Sequence, residues 1–232
     1  MEKELVFSKI EKNIGVHFKN PALLRQAAVH RSYLNEHPNF DLNHNERLEF
    51  LGDAVLEIIV TEHLYLNYPN PEGELTNWRA SLVNSRMLSQ IAQKIGIEEA
   101  LYLSRGETKD IGKARQAILA NAFEALIGAI YLDKGEKAAK KFIRRFVLSE
   151  LPNILENKLY LDPKSNLQEI TQEKIGITPV YKVLSETGPD HAKNFSVGVY
   201  LKNEKIGEGA GSSKQEAQEA AARDALKKHL WE

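Results

Sequence analysis

The run His44-Asn45-Glu46-Arg47-Leu48-Glu49-Phe50-Leu51-Gly52-Asp53-Ala54-Val55-Leu56 decides how this chain is read. Wound as a helix, it puts Glu46, Glu49 and Asp53 at i, i+3 and i+7, so three carboxylates stack on one face. Leu48, Leu51 and Val55 point to a different side, the pattern of an amphipathic helix. Like charges at this spacing repel by a few tenths of a kcal/mol per pair on an exposed helix. A hard divalent cation removes that repulsion, because Mg²⁺ takes oxygen ligands while keeping several waters. By spacing alone the commoner reading is a solvated acidic face, and Glu57 continues the same stripe with no role of its own.

Outward from this run, helical periodicity dominates residues 1–148. Apolar residues recur at helical spacing around 4–13, 21–34, 44–67, 75–94, 113–132 and 135–148, with Pro and Gly in gaps such as Tyr68-Pro69-Asn70-Pro71-Glu72-Gly73. An all-α domain is expected over 1–148. The stretch 149–163, holding Pro152 and Pro163, is expected to connect two units, with Ile154, Leu155, Leu159 and Leu161 able to pack. Over 164–232 the pattern changes: a short helix at 164–175, strands at 179–186, 194–202 and 204–210, then an alanine-rich helix opened by Ser212 or Ser213. That order, α-β-β-β-α, is a small α+β module.

Composition narrows the class without naming a function. The 232 residues carry a formal net charge of −1, and residues 163–232 hold 10 Lys/Arg against 10 Asp/Glu. Any nucleic-acid affinity must therefore come from charge arrangement rather than net charge. Cys is absent, which excludes disulfides and thiolate metal sites. The segment MEKELVFSKI lacks the apolar core of a signal peptide, and no apolar run approaches the roughly 20 residues of a membrane span. A cytoplasmic protein with no membrane contact is expected.

Residue types narrow it further. The run Asn45-Glu46-Arg47-Leu48-Glu49-Phe50-Leu51-Gly52-Asp53-Ala54-Val55-Leu56 resembles the signature of the bacterial ribonuclease III family, and Ile118 to Asp133 (ILANAFEALIGAIYLD) resembles its second conserved helix. His30-Arg31-Ser32-Tyr33 and Glu72-Gly73-Glu74-Leu75 add to the likeness, which runs in order through nearly the whole chain. The resemblance implies a helical nuclease domain followed by a double-stranded RNA-binding domain. It implies a homodimer that hydrolyses both strands of double-stranded RNA and leaves short 3′ overhangs, with ribosomal RNA precursors and structured messenger RNAs as substrates. It further implies four carboxylates around divalent metal, Mg²⁺ with Mn²⁺ as a substitute. Glu49, Asp53 and Glu124 match three of them, and the fourth position holds Asn121. Glu46 matches a family position near the subunit contact, Glu72 one close to the cleavage site, and Phe50 is either an interface or a core residue.

Asn121 departs from the family. It keeps the size and one oxygen of Asp, loses the charge, and puts an NH₂ donor where a cation or its water wants an acceptor. Reduced cleavage with retained RNA binding is the expectation, and the alternative is a protein of the same fold that holds duplexes without cutting them. In the C-terminal module the resemblance assigns RNA contacts to Ser165, Gln168 and Glu169 on the first helix. It also assigns His191 and Lys193 near the first strand connection, and Ser213 and Lys214 at the start of the last helix. Gln215 stands where the family commonly has a second lysine. In the nuclease domain the loop Ser104 to Lys109, with Lys113 and Arg115, is the expected basic contribution.

Overall fold

The structure is a computed structural model and describes residues 2–109, 112–189 and 193–228. They form two compact units, Met1–Tyr160 and Leu161–Glu232. The first is helical: α1 (Glu2–Ile14), α2 (Pro21–Ala27), α3 (Arg31–Glu36), α4 (Glu46–Asn67), α5 (Glu72–Val83), α6 (Ser85–Ile95), α7 (Ile97–Ala100), α8 (Lys113–Lys134), α9 (Glu136–Phe146) and α10 (Leu151–Glu156). Two periodic segments are each divided. Between α2 and α3, Val29 pairs with Tyr102 and the His30 ring accepts from the Ser32 amide, so a new helix starts there. Between α5 and α6, extended Asn84 caps the second helix by accepting from Met87 at 2.9 Å. Apolar periodicity runs through the second break because α5 and α6 both bury side chains in the same core, whereas α3 buries none.

That core is organised by α8. Ile118, Leu119, Ala120, Ala122, Phe123 and the run Ala125–Ile130 are buried, so the helix is apolar nearly all round, as a central helix must be. It packs against α4 over the most extensive contact in the chain. A methyl group on Gly52 would fall inside the carbonyl oxygen of Glu124 and lie 2.9 Å from the Gly128 nitrogen, and one on Gly128 would strike Leu48. Gly52 meets Glu124 while Gly128 meets Leu48, so the two helices run antiparallel with their backbones in contact. Residues 149–160, expected to join the two units, fold with the first: Leu151 and Ile154 of α10 are buried in its core.

The second unit holds α11 (Pro163–Ile175), β1 (Val180–Thr187), β2 (Asn194–Leu201), β3 (Glu204–Gly211) and α12 (Lys214–Lys228), the expected α-β-β-β-α order. Asp162 caps α11 by accepting from Ser165, and left-handed Gly176 ends it. The sheet is antiparallel in the order β1-β2-β3. Ser213 opens α12 by accepting from the Glu216 amide at 3.2 Å, while the Glu216 carboxylate reaches back to the Ser212 amide at 3.0 Å. A methyl group at Gly207 would lie 2.6 Å from the Ala221 oxygen, and one at Gly211 would lie 2.7 Å from the Ala217 nitrogen. Helix and strand thus meet backbone to backbone, around a small core of Leu167, Val197, Val199, Leu201, Ile206 and four buried alanines.

Candidate active site and RNA interface

The acidic face predicted for residues 46–53 lies on α4 and meets a glutamate from α8. Leu48 and Val55 are buried, and this fixes the rotation of α4 so that Glu49 is half-buried beside the crossing and Asp53 is exposed. Glu124 leaves α8 where Gly52 lets the two backbones touch. Electrostatics register the convergence. Burial, then the charges of Asp53 and Glu49, push the Glu124 carboxyl up to about 7. Burial, then Glu46 and Asp53, raise Glu49 as well. None of Glu49, Asp53 and Glu124 is engaged by a basic side chain among the described residues. Asn121, one helical turn before Glu124, is half-buried.

Three unneutralised carboxylates and an amide oxygen are hard donors, the set that suits Mg²⁺. As they stand, no three acidic or histidine side chains among the described residues are gathered closely enough to enclose an ion. The α4–α8 backbone contact brings the elements that carry these donors to one crossing. The donor chemistry and the missing counter-charge fit a divalent cation.

The other predicted acids differ. Glu46 pairs with Arg31 at 3.6 Å, lies 3.6 Å from the His44 ring without a hydrogen bond to it, and acts on the cluster through its charge on Glu49. Glu72 is exposed at the start of α5, accepting from Thr76 at 3.1 Å, and does not perturb the cluster. Glu57, whose spacing matched the stripe, faces Arg79 at 3.8 Å instead. Asn45 was not singled out from sequence and is buried. Its side chain donates to Ala27 at 3.1 Å, its amide donates to Val29 at 2.9 Å, and its carbonyl starts α4 by accepting from Leu48 and Glu49. Phe50 is 82 % exposed, which removes the core-packing alternative.

In the second unit an open hollow of about 560 Å³ brings Ser165 and Gln168 of α11 together with Lys214 of α12, joined by Lys164, Tyr181 and Gln215. Sequence reasoning missed Tyr181. Its hydroxyl is buried without a hydrogen-bond partner, and burial with the charge of Asp162 pushes it up to about 12. Glu169 is exposed outside the hollow, Ser213 caps α12, and Lys193 pairs with Glu186 at 2.7 Å. His191 lies outside the described residues. Of the residues expected to be the basic contribution of the nuclease domain, Arg115 lies on α8 and turns inward to Glu98 at 2.9 Å.

Family models match both units. Residues 20–151 match the ribonuclease-III-like family and residues 163–229 the double-stranded RNA binding motif. The Ribonuclease 3 of Desulforamulus reducens is 43% identical, over 96% of this chain and 91% of that one. The Ribonuclease 3 of Protochlamydia amoebophila is 45% identical, over 94% and 89%. Among solved structures, a ribonuclease III nuclease domain from Campylobacter jejuni is 36% identical and superposes with a TM-score of 0.56, covering 62% of this chain and 97% of its own. That domain is described through flexibility in a region involved in dimer formation.

Proposed function

Because the chain belongs to the ribonuclease III family, we propose that it is a homodimeric, divalent-metal endoribonuclease that hydrolyses both strands of double-stranded RNA and leaves short 3′ overhangs. The observation that carries this reading is the field that Glu49, Asp53 and Glu124 share beside the α4–α8 crossing, with no basic partner among the described residues. Glu49, Asp53, Asn121 and Glu124 would hold Mg²⁺ or Mn²⁺, which when bound supplies a polarised water and charge neutralisation at the scissile phosphate. Burial makes Glu124 a reluctant anion that ionises when positive charge arrives. Arg31 pairs with Glu46, and Asn45 locks the first turn of α4 that carries Glu46 and Glu49. In the second unit Ser165, Gln168 and Lys214 would meet the duplex across the hollow. Lys193, Glu169, Ser213 and His191 would complete the surface, reading A-form shape rather than sequence.

For the dimer, the support is an exposed apolar stripe on α4 of Phe50, Ala54, Ile58 and Tyr65, together with the dimer-forming region of the Campylobacter relative. The cellular setting we propose is the cytoplasm, with ribosomal RNA precursors and structured messenger RNAs as substrates. No helix among the described residues is long and apolar enough to cross a membrane.

Asn121 favours a second reading in which the chain binds duplexes and cuts them poorly. A long RNA duplex incubated with the protein and Mg²⁺ tests both. Slow cleavage that Glu124→Gln abolishes, with both proteins binding equally in Ca²⁺, supports the nuclease. Equal cleavage by the two proteins would sink the carboxylate assignment, and binding without any cleavage selects the second reading.

A further inference from the structure

A protein with a net charge of −1 that grips a polyanion must concentrate its cations somewhere. The module at 163–232 is balanced and carries Gln215 where a second lysine is expected, and Arg115 turns inward from α8 to Glu98. The densest basic element lies elsewhere, on α9. Ala139, Phe142 and Ile143 bury one side of it. Lys137, Lys140, Lys141, Arg144 and Arg145 occupy the opposite arc, with Glu136 the one acid in the helix.

These five cations are not equally committed. Lys140 is paired with Glu62 of α4. Arg145 donates to the Ile14 carbonyl at 3.3 Å and lies over the Phe146 ring. Lys137, Lys141 and Arg144 make no hydrogen bond or ion pair with any described residue. They stand at i, i+4 and i+7, a single stripe about 10 Å long whose members are separated by roughly 6 Å. The positive field spreads beyond the helix: burial, then Arg144 and Lys140, hold His63 of α4 below its ordinary value.

Resting on the proposed function, we infer that the outer face of α9, through Lys137, Lys141 and Arg144, is a second docking surface for the phosphodiester backbone of duplex RNA. A regular row of cations without a hydrogen bond or ion pair complements a regular row of phosphates, and of the three Arg144 alone shares a field with an acid, Glu62. A duplex outlasts any one site on the protein, so flanking turns remain for this face. The contact fixes register and affinity and carries no sequence preference.

The test is the salt dependence of binding to a long RNA duplex, by full-length protein in Ca²⁺. Lys137→Glu with Lys141→Glu is compared with a control of matched charge change, Lys12→Glu with Arg86→Glu. Removing two phosphate contacts makes the slope of log affinity against log salt shallower by about two. The control keeps the slope of the unmodified chain. Lys137→Gln with Lys141→Gln gives the same direction if charge reversal impairs folding. A slope unchanged in both α9 variants overturns this surface while leaving the function standing. Absence of duplex binding by the unmodified chain overturns the function and this surface with it.

Discussion

Gly52 of α4 lies against the backbone of Glu124 of α8 with no space for a side chain between them. The close approach is what lets carboxylates from two distant parts of the chain share one field. Gly52→Ala forces the helices apart and is expected to cost about 3 kcal/mol, the upper range for overpacking. Urea unfolding measures it, and a variant as stable as the unmodified chain refutes the backbone contact.

Glu124 gives a pH signature. Its ordinary value is 4.5, and burial beside Asp53 and Glu49 pushes it up to about 7. Between those values the folded protein holds a proton that the unfolded chain has released, so stability falls as pH rises through the window and levels above it. In metal-free buffer Glu124→Gln flattens this slope. At pH 8, Mg²⁺ should then raise the melting temperature of the unmodified chain more than that of the variant. Parallel pH profiles for the two proteins would count against the shared field.

Asn121→Asp restores the fourth family acid. Cleavage of a long duplex in Mg²⁺ is expected to rise by about 10²-fold or more, the scale for one preorganised catalytic group. Binding in Ca²⁺ stays as it was. Cutting by the unmodified chain at the revertant's rate contradicts the role given to this position.

Asp133 anchors the far end of α8. Its carboxylate accepts from the backbone amides of Lys19 and Asn20, each at 2.8 Å. Burial opposes its ionisation, yet those two bonds and Lys134 outweigh it and hold Asp133 below its ordinary 3.8. The stability it supplies is complete above that value and is lost as pH falls below it. Asp133→Ala is expected to cost about 2 kcal/mol at pH 7, the scale of hydrogen bonds to a charged group, with the difference shrinking in acid. Acid and neutral urea titrations of both proteins decide it.

The acidic face of α4 was legible in the sequence because it rests on local helical geometry, and so was the change of period that separates the two units. What pairs across the fold was not. Glu57 and Asp53 have equivalent spacing credentials, and only the approach of α5 with Arg79 takes Glu57 out of the site. Arg115 read as an RNA contact until Glu98, on another helix, claimed it. Glycine inside a helix was the available signal for the crossing: Gly52 and Gly128 each forgo helix propensity so that backbones can touch. The break at Asn84 hid because an extended residue with a capping amide does not interrupt apolar spacing.

The second unit has a far smaller core than the first, five aliphatic side chains and four alanines of α12, the alanines closely fitted against glycines of β3. Warming the full chain should therefore give two calorimetric transitions, with the smaller body melting first. Added duplex should lift that lower transition, so temperature would disarm the grip while the catalytic scaffold is still intact.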